Sequence, residues 1–317
     1  MRLAVTLFLF IFIISCSSEN TYKNKMKPDV EYLSSDQLEG RSTGSKGANL
    51  AGKYIKNRFK ELNIKPMGED GYFQKFSFKP KSHPHEKITV SDSIIENSIT
   101  ANNVIGFINN NSDNTIVIGA HYDHLGYGGE GSLYRDSDIK IHNGADDNAS
   151  GVSLMLDLAA KLKDNINNNY LFIAFSGEEL GLLGSNFFVK NSTINIKSIN
   201  YMINMDMVGR LNTDNTLAVY GLGTSPIFKQ TIKSNNQNFK IIENESGIGP
   251  SDHTSFYLSD IPVLHFFTGQ HSDYHKPSDD SNLINYKGMN LISNFIYTII
   301  SDLNDNGKLP FRETKNE

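Results

Sequence analysis

The sequence has 317 residues and a formal net charge of −5, with 30 lysines and arginines against 35 aspartates and glutamates. This length suffices for one large α/β domain with a substantial hydrophobic core. The acidic balance and the lack of any lysine or arginine cluster argue against nucleic acid as a partner.

The chain begins with a short apolar segment that leads to its single cysteine. Met1-Arg2 is followed by LAVTLFLFIFII, Ser15 and Cys16. The apolar run is too short for a comfortable membrane span and suits a signal-peptide core. A small residue before a cysteine resembles the lipobox of bacterial lipoproteins, so we expect a lipid anchor on Cys16 and a cell-envelope location, periplasmic or surface-side. A secreted protein or an uncleaved anchor is the alternative.

The domain organisation follows from this start. We expect a signal peptide at 1–16, a polar tether at 17–27, a single domain at 28–304 and a frayed tail at 305–317. After cleavage no cysteine remains for a disulfide or a thiolate metal site, so His, Asp and Glu must hold any metal.

Hydrophobic periodicity predicts alternating helices and strands. Helices are expected over 29–38, 47–62, 150–162, 225–233, 252–258 and 286–303. Strands are expected over 71–78, 115–120, 170–175, 199–205, 217–220, 239–242 and 262–267, with two short strands within 88–107. The alternation predicts an α/β fold, a three-layer α/β/α sandwich with a mixed, largely parallel central sheet.

Several predicted strands lead directly into metal-capable residues. These are His121 after 115–120, the pair Glu178 and Glu179 after 170–175, and Asp206 after 199–205, together with Asp146 and Asp147 in GADDNASG and His275 in SDYHKPSDD. The carboxyl ends of parallel strands share one edge of a sheet, where ligands bind. A lone histidine there is usually structural, and paired glutamates alone also suit a helix N-terminus. Five such groups at one edge indicate a functional site.

The charges of these groups favour a two-metal site. Adjacent buried carboxylates raise each other's pKa unless a positive charge lies beside them. Three carboxylates, two imidazoles and a hydroxide would about balance two zinc ions, which can share a carboxylate and a water at a separation of roughly 3.5–4 Å. One acid then remains for proton transfer.

The ordered motifs HYDHLG, NGADDNASG, FSGEELGLLGS, NMDMVGR and YHKPSDD resemble those of the secreted di-zinc aminopeptidases of metallopeptidase family 28. EYLSSDQLEGRSTGSKG and GYFQKF resemble the N-terminal segment of that family. The resemblance runs from about Lys27 to the last helix and implies the zinc-dependent exopeptidase fold. It implies that Asp146 bridges two zinc ions, with His121 and Asp206 completing one site and Glu179 and His275 the other.

The resemblance also implies roles for the residues around the metals. Glu178 would be the general base and later the acid, and Tyr274 would steady the oxyanion. Asp123 would lie in the second shell and accept the other N–H of His121. Asp147 would be second shell only, and the peptide bond between the two aspartates is expected to be cis.

The implied activity is removal of N-terminal residues from peptides with a free N-terminus by a monomeric enzyme. Rival hypotheses are a glutaminyl cyclase with one zinc on the same fold, a non-catalytic binding protein, and a carboxypeptidase, for whose usual inserted domain the chain has no room. The remaining histidines and acids are interpreted as packing, second-shell, surface, turn or helix-start residues: His124, His142, His253, His265, His271, Asp252, Asp279 and Asp280.

Overall fold

The computed structural model describes residues 25–81, 86, 88–93 and 96–315. The predicted signal peptide, Cys16 and all but the end of the tether lie outside the described residues. Within the described ranges, no helix has both the length and the apolar character needed to cross a membrane.

Helices and strands alternate along the chain. The helices are α1 (Met26–Leu33), α2 (Lys46–Glu61), α3 (Gly151–Leu162), α4 (Leu183–Lys190), α5 (Phe228–Asn235), α6 (His253–Tyr257) and α7 (Tyr286–Leu303). The strands are β1 (Lys65–Pro66), β2 (Phe73–Phe78), β3 (Val90–Ser91), β4 (Ile99–Ile108), β5 (Thr115–His121), β6 (Asn169–Phe175), β7 (Ile199–Met205), β8 (Thr216–Tyr220), β9 (Lys240–Glu243) and β10 (Val263–Phe267).

The strands form one mixed sheet in the order β3-β2-β4-β6-β5-β7-β10-β8-β9, with β1 beside β4. The centre, β6-β5-β7-β10, is parallel, whereas β2, β3 and β4 and the β8–β10 pair are antiparallel. Strands β5, β6 and β7 are buried along their whole length, as apolar runs covered on both faces should be. One core cluster contains residues of α1, α2, α3, α5 and α7, and another contains those of α4 and α6. The predicted α/β/α sandwich is therefore confirmed.

Several local predictions differ from the structure. The helix expected over 29–38 corresponds to α1, which begins at Met26 and ends at Leu33. The 88–107 segment holds one very short strand and the long strand β4, which runs ten residues because it pairs with both β2 and β6. The tail that we expected to be frayed instead packs on the domain. Leu309 is 3% exposed, and the backbone N–H of Arg312 donates to the carbonyl of Thr224.

Candidate metal centre

The last residue of β5 begins the first of two ligand trios. His121 is buried, and its Nε2 lies 3.2 Å from Asp147 Oδ1 and 3.3 Å from Asp206 Oδ1. Asp206 follows β7, the parallel neighbour of β5, so the two strand ends bring these side chains together. Glu178, after β6, has its Oε2 4.0 Å from the same imidazole nitrogen.

The second trio shares Asp147 with the first. His275 Nε2 lies 3.1 Å from Asp147 Oδ2 and 3.3 Å from Glu179 Oε2. The backbone of His275 has a φ of 55°, in the left-handed region that non-glycine residues rarely adopt. The imidazole Nδ1 donates to the carbonyl of Gly131 at 2.8 Å, which leaves Nε2 as the nitrogen that faces the carboxylates.

The spacing of these donors fits zinc. Ligand atoms about 2.0–2.1 Å from a tetrahedral zinc ion lie about 3.3 Å from one another. The four separations between a histidine nitrogen and a carboxylate oxygen in the two trios are 3.1, 3.2, 3.3 and 3.3 Å. All the donors are imidazole nitrogens or carboxylate oxygens, and the two oxygens of Asp147 face different trios. The residues present therefore fit a pair of metals that share one carboxylate.

The structure places Asp147, and not Asp146, between the two histidines. Asp146 is turned away. Its Oδ1 accepts from the N–H of Gly209 at 2.6 Å, and its Oδ2 lies 3.2 Å from Nε2 of His271. The bridging position that we assigned to Asp146 was therefore wrong. Asp147, which we had placed outside the metal ligands, faces both histidines instead. The cis peptide bond lies between Asp147 and Asn148, one residue later than expected.

Asp279 fixes the turn that carries both aspartates. Its buried carboxylate accepts hydrogen bonds from the backbone N–H of Asp146, at 3.0 and 3.1 Å, and of Asp147, at 3.0 Å. Our sequence interpretation of Asp279 as a turn former missed this contact. It links the loop of His275 to the loop of Asp147.

Glu178 lies beside the first trio in an acidic, desolvated environment. Burial raises its pKa well above 4.5, and the carboxylates of Asp206, Glu179 and Asp252 add to the rise while His121 opposes it. Asp252 lies at the start of α6, as the sequence predicted, and it is fully buried there, which raises its pKa to about 7. A carboxyl with a raised pKa can hold and release a proton near neutrality.

Asp123 supports both His121 and Glu178. The nitrogen Nδ1 of His121 lies 3.2 Å from the main-chain carbonyl of Asp123 and 3.8 Å from its carboxylate. The carboxylate instead accepts from Thr43 Oγ1 at 2.7 Å and from the Glu178 N–H at 3.2 Å. The hydrogen bond to His121 that we expected from the Asp123 carboxylate therefore comes from the main-chain carbonyl of Asp123.

The acids dominate the protonation of the two histidines. Burial lowers the pKa of His121, but the Asp206 and Glu178 carboxylates outweigh burial and raise it well above 6.5. For His275, hydrogen bonds to Asp147 and Glu179 likewise outweigh burial and raise the pKa to about 10. Such a site attracts cations, and a metal binding there displaces protons.

A cavity of about 620 Å³ opens beside the cluster. The residues that line it include Leu182, Tyr220, Pro250, His265, Phe267, Gln270 and Tyr274. The ring of Tyr274 stacks on His275 at 3.8 Å, and its half-buried phenol has a pKa raised by burial and then by nearby carboxylates, so it stays protonated as a donor. The cavity also receives Asp147, Glu178 and Glu179, so a molecule bound there would reach both trios.

His124 is a further residue that the sequence interpretation left as packing or second shell. It is buried, and its Nδ1 lies 2.7 Å from Glu179 Oε1. Its position three residues after His121, in the same motif at the end of β5, could have indicated that it belongs to the site. Sequence spacing alone could not show that its ring turns towards Glu179.

A sheet edge with two histidine–carboxylate trios that share one aspartate defines an α/β protein with paired metal positions. The family model for peptidase family M28 matches residues 103–300. The match covers more than half of the chain, and the chain therefore belongs to peptidase family M28.

Curated relatives match about half of the chain. A probable leucine aminopeptidase from Trichophyton verrucosum is 32% identical over 177 residues, which are 50% of this chain and 44% of that protein. Aminopeptidase YwaD from Bacillus subtilis is 30% identical over 200 residues, 57% of this chain and 40% of that protein. The chain thus spans less than half the length of these relatives.

Solved structures share the fold. The zinc aminopeptidase BSAP from Bacillus subtilis has a TM-score of 0.66 at 16% identity, with 93% of this chain and 97% of that chain covered. Porphyromonas gingivalis glutaminyl cyclase has a TM-score of 0.68 at 16% identity, with 88% and 97% covered. At these identities the likeness establishes the α/β architecture alone.

Proposed function

We propose that the protein is a di-zinc metallo-aminopeptidase that hydrolyses N-terminal residues from peptides with a free N-terminus. The observation that carries this proposal is the position of Asp147, whose two carboxylate oxygens lie 3.2 Å from His121 Nε2 and 3.1 Å from His275 Nε2. The names of the two curated relatives support the same reaction.

The residues that would hold the zinc ions are His121 and Asp206 in one site, Glu179 and His275 in the other, and Asp147 between them. When bound, the zinc pair polarises the scissile carbonyl and lowers the pKa of a water towards about 7.

Glu178 performs the proton transfers in this proposal. It lies in the cavity beside the first trio, and its backbone is fixed by the hydrogen bond to Asp123. Its carboxylate takes the proton of the attacking water. Because burial raises its pKa, the carboxyl then holds that proton until the leaving amine accepts it.

Tyr274 and the cavity orient the substrate. The protonated phenol of Tyr274 faces the same cavity as the carboxylates and donates a hydrogen bond to the developing oxyanion. Leu182, Tyr220 and Phe267 surround the side chain of the N-terminal residue. The carboxylates attract the free amino group, so an acetylated N-terminus binds poorly.

The test is hydrolysis of aminoacyl-naphthylamides and of free and N-acetylated peptides by the purified, zinc-loaded protein, before and after chelation. Glu178→Gln should lower kcat by at least about a hundredfold, the lower end of what one general base contributes, without loss of zinc. Glu69→Gln, at an exposed position between β1 and β2, is the matched control and should leave activity unchanged.

Two outcomes would overturn the proposal. Equal cleavage of free and acetylated peptides would exclude an aminopeptidase. A folded, zinc-loaded protein without hydrolysis would instead favour the glutaminyl cyclase, assayed on N-terminal glutamine, or a binding protein.

The cell-envelope location belongs to this proposal as well. Residues 1–15 would be removed, Cys16 would become the lipidated N-terminus, and the residues between Cys16 and α1 would tether a monomeric peptidase. Labelling with a tritiated fatty acid and membrane fractionation test the anchor, because Cys16→Ser should abolish both label and membrane association. The molar mass from light scattering tests whether the protein is a monomer.

A further inference from the structure

The contacts of His124 indicate a role beyond packing. The side chain lies in the turn after β5, is 2% exposed, and its backbone N–H donates to the carbonyl of Arg41. Gly144, at a φ of 56°, allows the ring to pack directly on the backbone, since a Cβ there would lie 2.5 Å from His124 Cδ2. Any side chain at position 144 would displace this imidazole.

The two oxygens of Glu179 have different partners. Oε2 lies 3.3 Å from His275 Nε2, a separation that suits two ligands of one zinc ion. Oε1 lies 2.7 Å from His124 Nδ1, which is too short for two donors on one ion and is typical of a hydrogen bond to a carboxylate. His124 Nδ1 therefore carries the hydrogen and donates it.

The rest of the His124 ring is consistent with a donor rather than a ligand. Nδ1 is 3.9 Å from Asp147 Oδ2, beyond the 3.1 to 3.3 Å spacing of the two trios. Nε2 is buried and has no hydrogen-bond partner among the residues that the structure describes. Nδ1 is thus the only nitrogen of this ring within hydrogen-bond distance of a cluster carboxylate, and it contacts Glu179 Oε1 rather than Oε2. The ring also packs edge-on against His275, with the ring centroids 5.8 Å apart.

We propose that His124 is a positioning residue that holds Glu179 in a one-oxygen binding geometry at the second metal site. By engaging Oε1, it leaves only Oε2 for the metal and keeps a coordination position of that metal free for substrate. This proposal rests on the proposed function of Glu179 as a metal ligand.

The test compares three variants of the full chain by zinc affinity, measured in competition with a chromophoric chelator. Asn places an amide N–H close to the position of imidazole Nδ1, whereas Gln places it near Nε2 and Leu has no donor. We expect His124→Leu and His124→Gln to weaken zinc at one of two sites about 10–100-fold, the usual cost of losing an outer-shell partner. His124→Asn should recover most of that loss.

Cobalt substitution gives a second readout. If Oε1 is released, two-oxygen binding by Glu179 should raise the coordination number and weaken the visible absorption of Co²⁺ in His124→Leu but not in His124→Asn. Equal zinc affinities in all three variants, with only the melting temperature changed, would show a merely structural role and overturn the proposal. So would equal losses in the Asn and Gln variants.

These outcomes are separate from those of the proposed function. A wild-type protein that binds two zinc ions without hydrolysing peptides would contradict the aminopeptidase, yet the His124 comparison would still stand. Unchanged zinc binding in His124→Leu would contradict the positioning role and leave the aminopeptidase intact.

Discussion

Two neighbouring aspartates of the same chemistry have different environments in this protein. Asp147 is 3% exposed and faces both histidines of the cluster. Asp146 is fully buried, and its Oδ1 also accepts from Ser150 Oγ at 3.0 Å. Its partners are thus backbone and neutral groups together with His271.

This difference predicts opposite effects of one substitution at adjacent positions. Asp147→Asn should weaken zinc at both sites and lower kcat/KM by more than about a hundredfold, beyond the usual loss for an outer-shell residue. Asp146→Asn should keep two zinc ions and reduce chiefly the free energy of unfolding. Zinc content after dialysis and kcat/KM measure the difference, and retention of both metals by Asp147→Asn would contradict the bridge.

The sequence located the GADDNASG turn but could not identify which aspartate bridges. The direction of each carboxylate depends on local dihedral angles, such as φ −105° and ψ 92° at Asp147. It also depends on Asp279, which is more than 130 residues away in the chain. For the same reason, local patterns left His124 and Asp252 among packing and helix-start residues. His121, Glu179 and Asp206 were predictable because each lies at or shortly after the end of a buried strand, whereas His275 lies in a loop beyond β10 and was expected from the motif YHKPSDD.

Asp279 holds the backbone of both aspartates, so its removal should cost stability. Asp279→Ala removes a charged acceptor from two backbone N–H groups, and hydrogen bonds to charged groups contribute about 1.5–3 kcal/mol. We expect a loss of at least about 1.5 kcal/mol in the free energy of unfolding, together with weaker zinc binding. Urea unfolding measures it. Asp164→Ala, at an exposed position, should change stability by less than about 0.5 kcal/mol.

Helix α4 packs tightly on the end of β6, the strand that leads to both glutamates. Asn103 of β4 links the two: its Nδ2 donates to the carbonyl of Gly184, and its Oδ1 accepts from the N–H of Ser176. A Cβ at position 184 would lie 2.3 Å from Asn103 Oδ1 and 2.4 Å from the Ser176 carbonyl. No ordinary side chain fits between this helix and the strand end.

A matched pair of glycine substitutions tests this contact. Gly184→Ala should destabilise the protein by about 1–3 kcal/mol and lower activity, because the displaced helix moves the residues that follow β6. Gly52→Ala, inside α2, meets neighbours only at 3.4 to 3.5 Å and should stabilise by about 0.4–1 kcal/mol. Thermal unfolding ranks the two variants, and equal stability would contradict the close packing of α4.

The boundaries of the elements with the longest apolar patterns followed closely from periodicity, whereas strand pairing did not. The predicted helix at 286–303 and strand at 199–205 have the observed limits, since each is a long apolar pattern. The antiparallel edge formed by β2, β3 and β4 was not distinguished from the parallel centre. Alternation and apolar runs report burial, but they carry no information about the direction of the neighbouring strand.

The buried guanidinium of Arg41 connects three segments of the chain around the acidic cluster. The Arg41 guanidinium donates to the carbonyls of Leu33, Tyr122, Asn143 and Gly144. These carbonyls lie on α1, on the turn after β5 and on the loop before the two aspartates. Because these acceptors are neutral, the positive charge of the guanidinium is not paired locally. It therefore stabilises the nearby carboxylates of Asp147, Asp123, Asp279 and Glu179.

The concentration of buried acids and histidines predicts how stability responds to zinc and pH. Without metal, His275 has a folded pKa of about 10, above its ordinary 6.5, and Asp252 has about 7, above 3.8. For both groups the folded state binds protons more tightly than the unfolded state. Their stabilisation is full below the unfolded pKa and is lost as pH rises through the folded pKa.

We therefore expect the chelated protein to unfold at progressively lower temperature from pH 6 to pH 9. Zinc should reverse this trend, since metal binding competes with those protons and improves as they leave. Zinc at a hundred times its Kd contributes about 2.7 kcal/mol per site. Calorimetry with and without chelator should thus show a gap that widens with pH. His275→Gln should flatten the slope of the chelated protein, and a melting temperature that rises with pH without zinc would contradict the linkage.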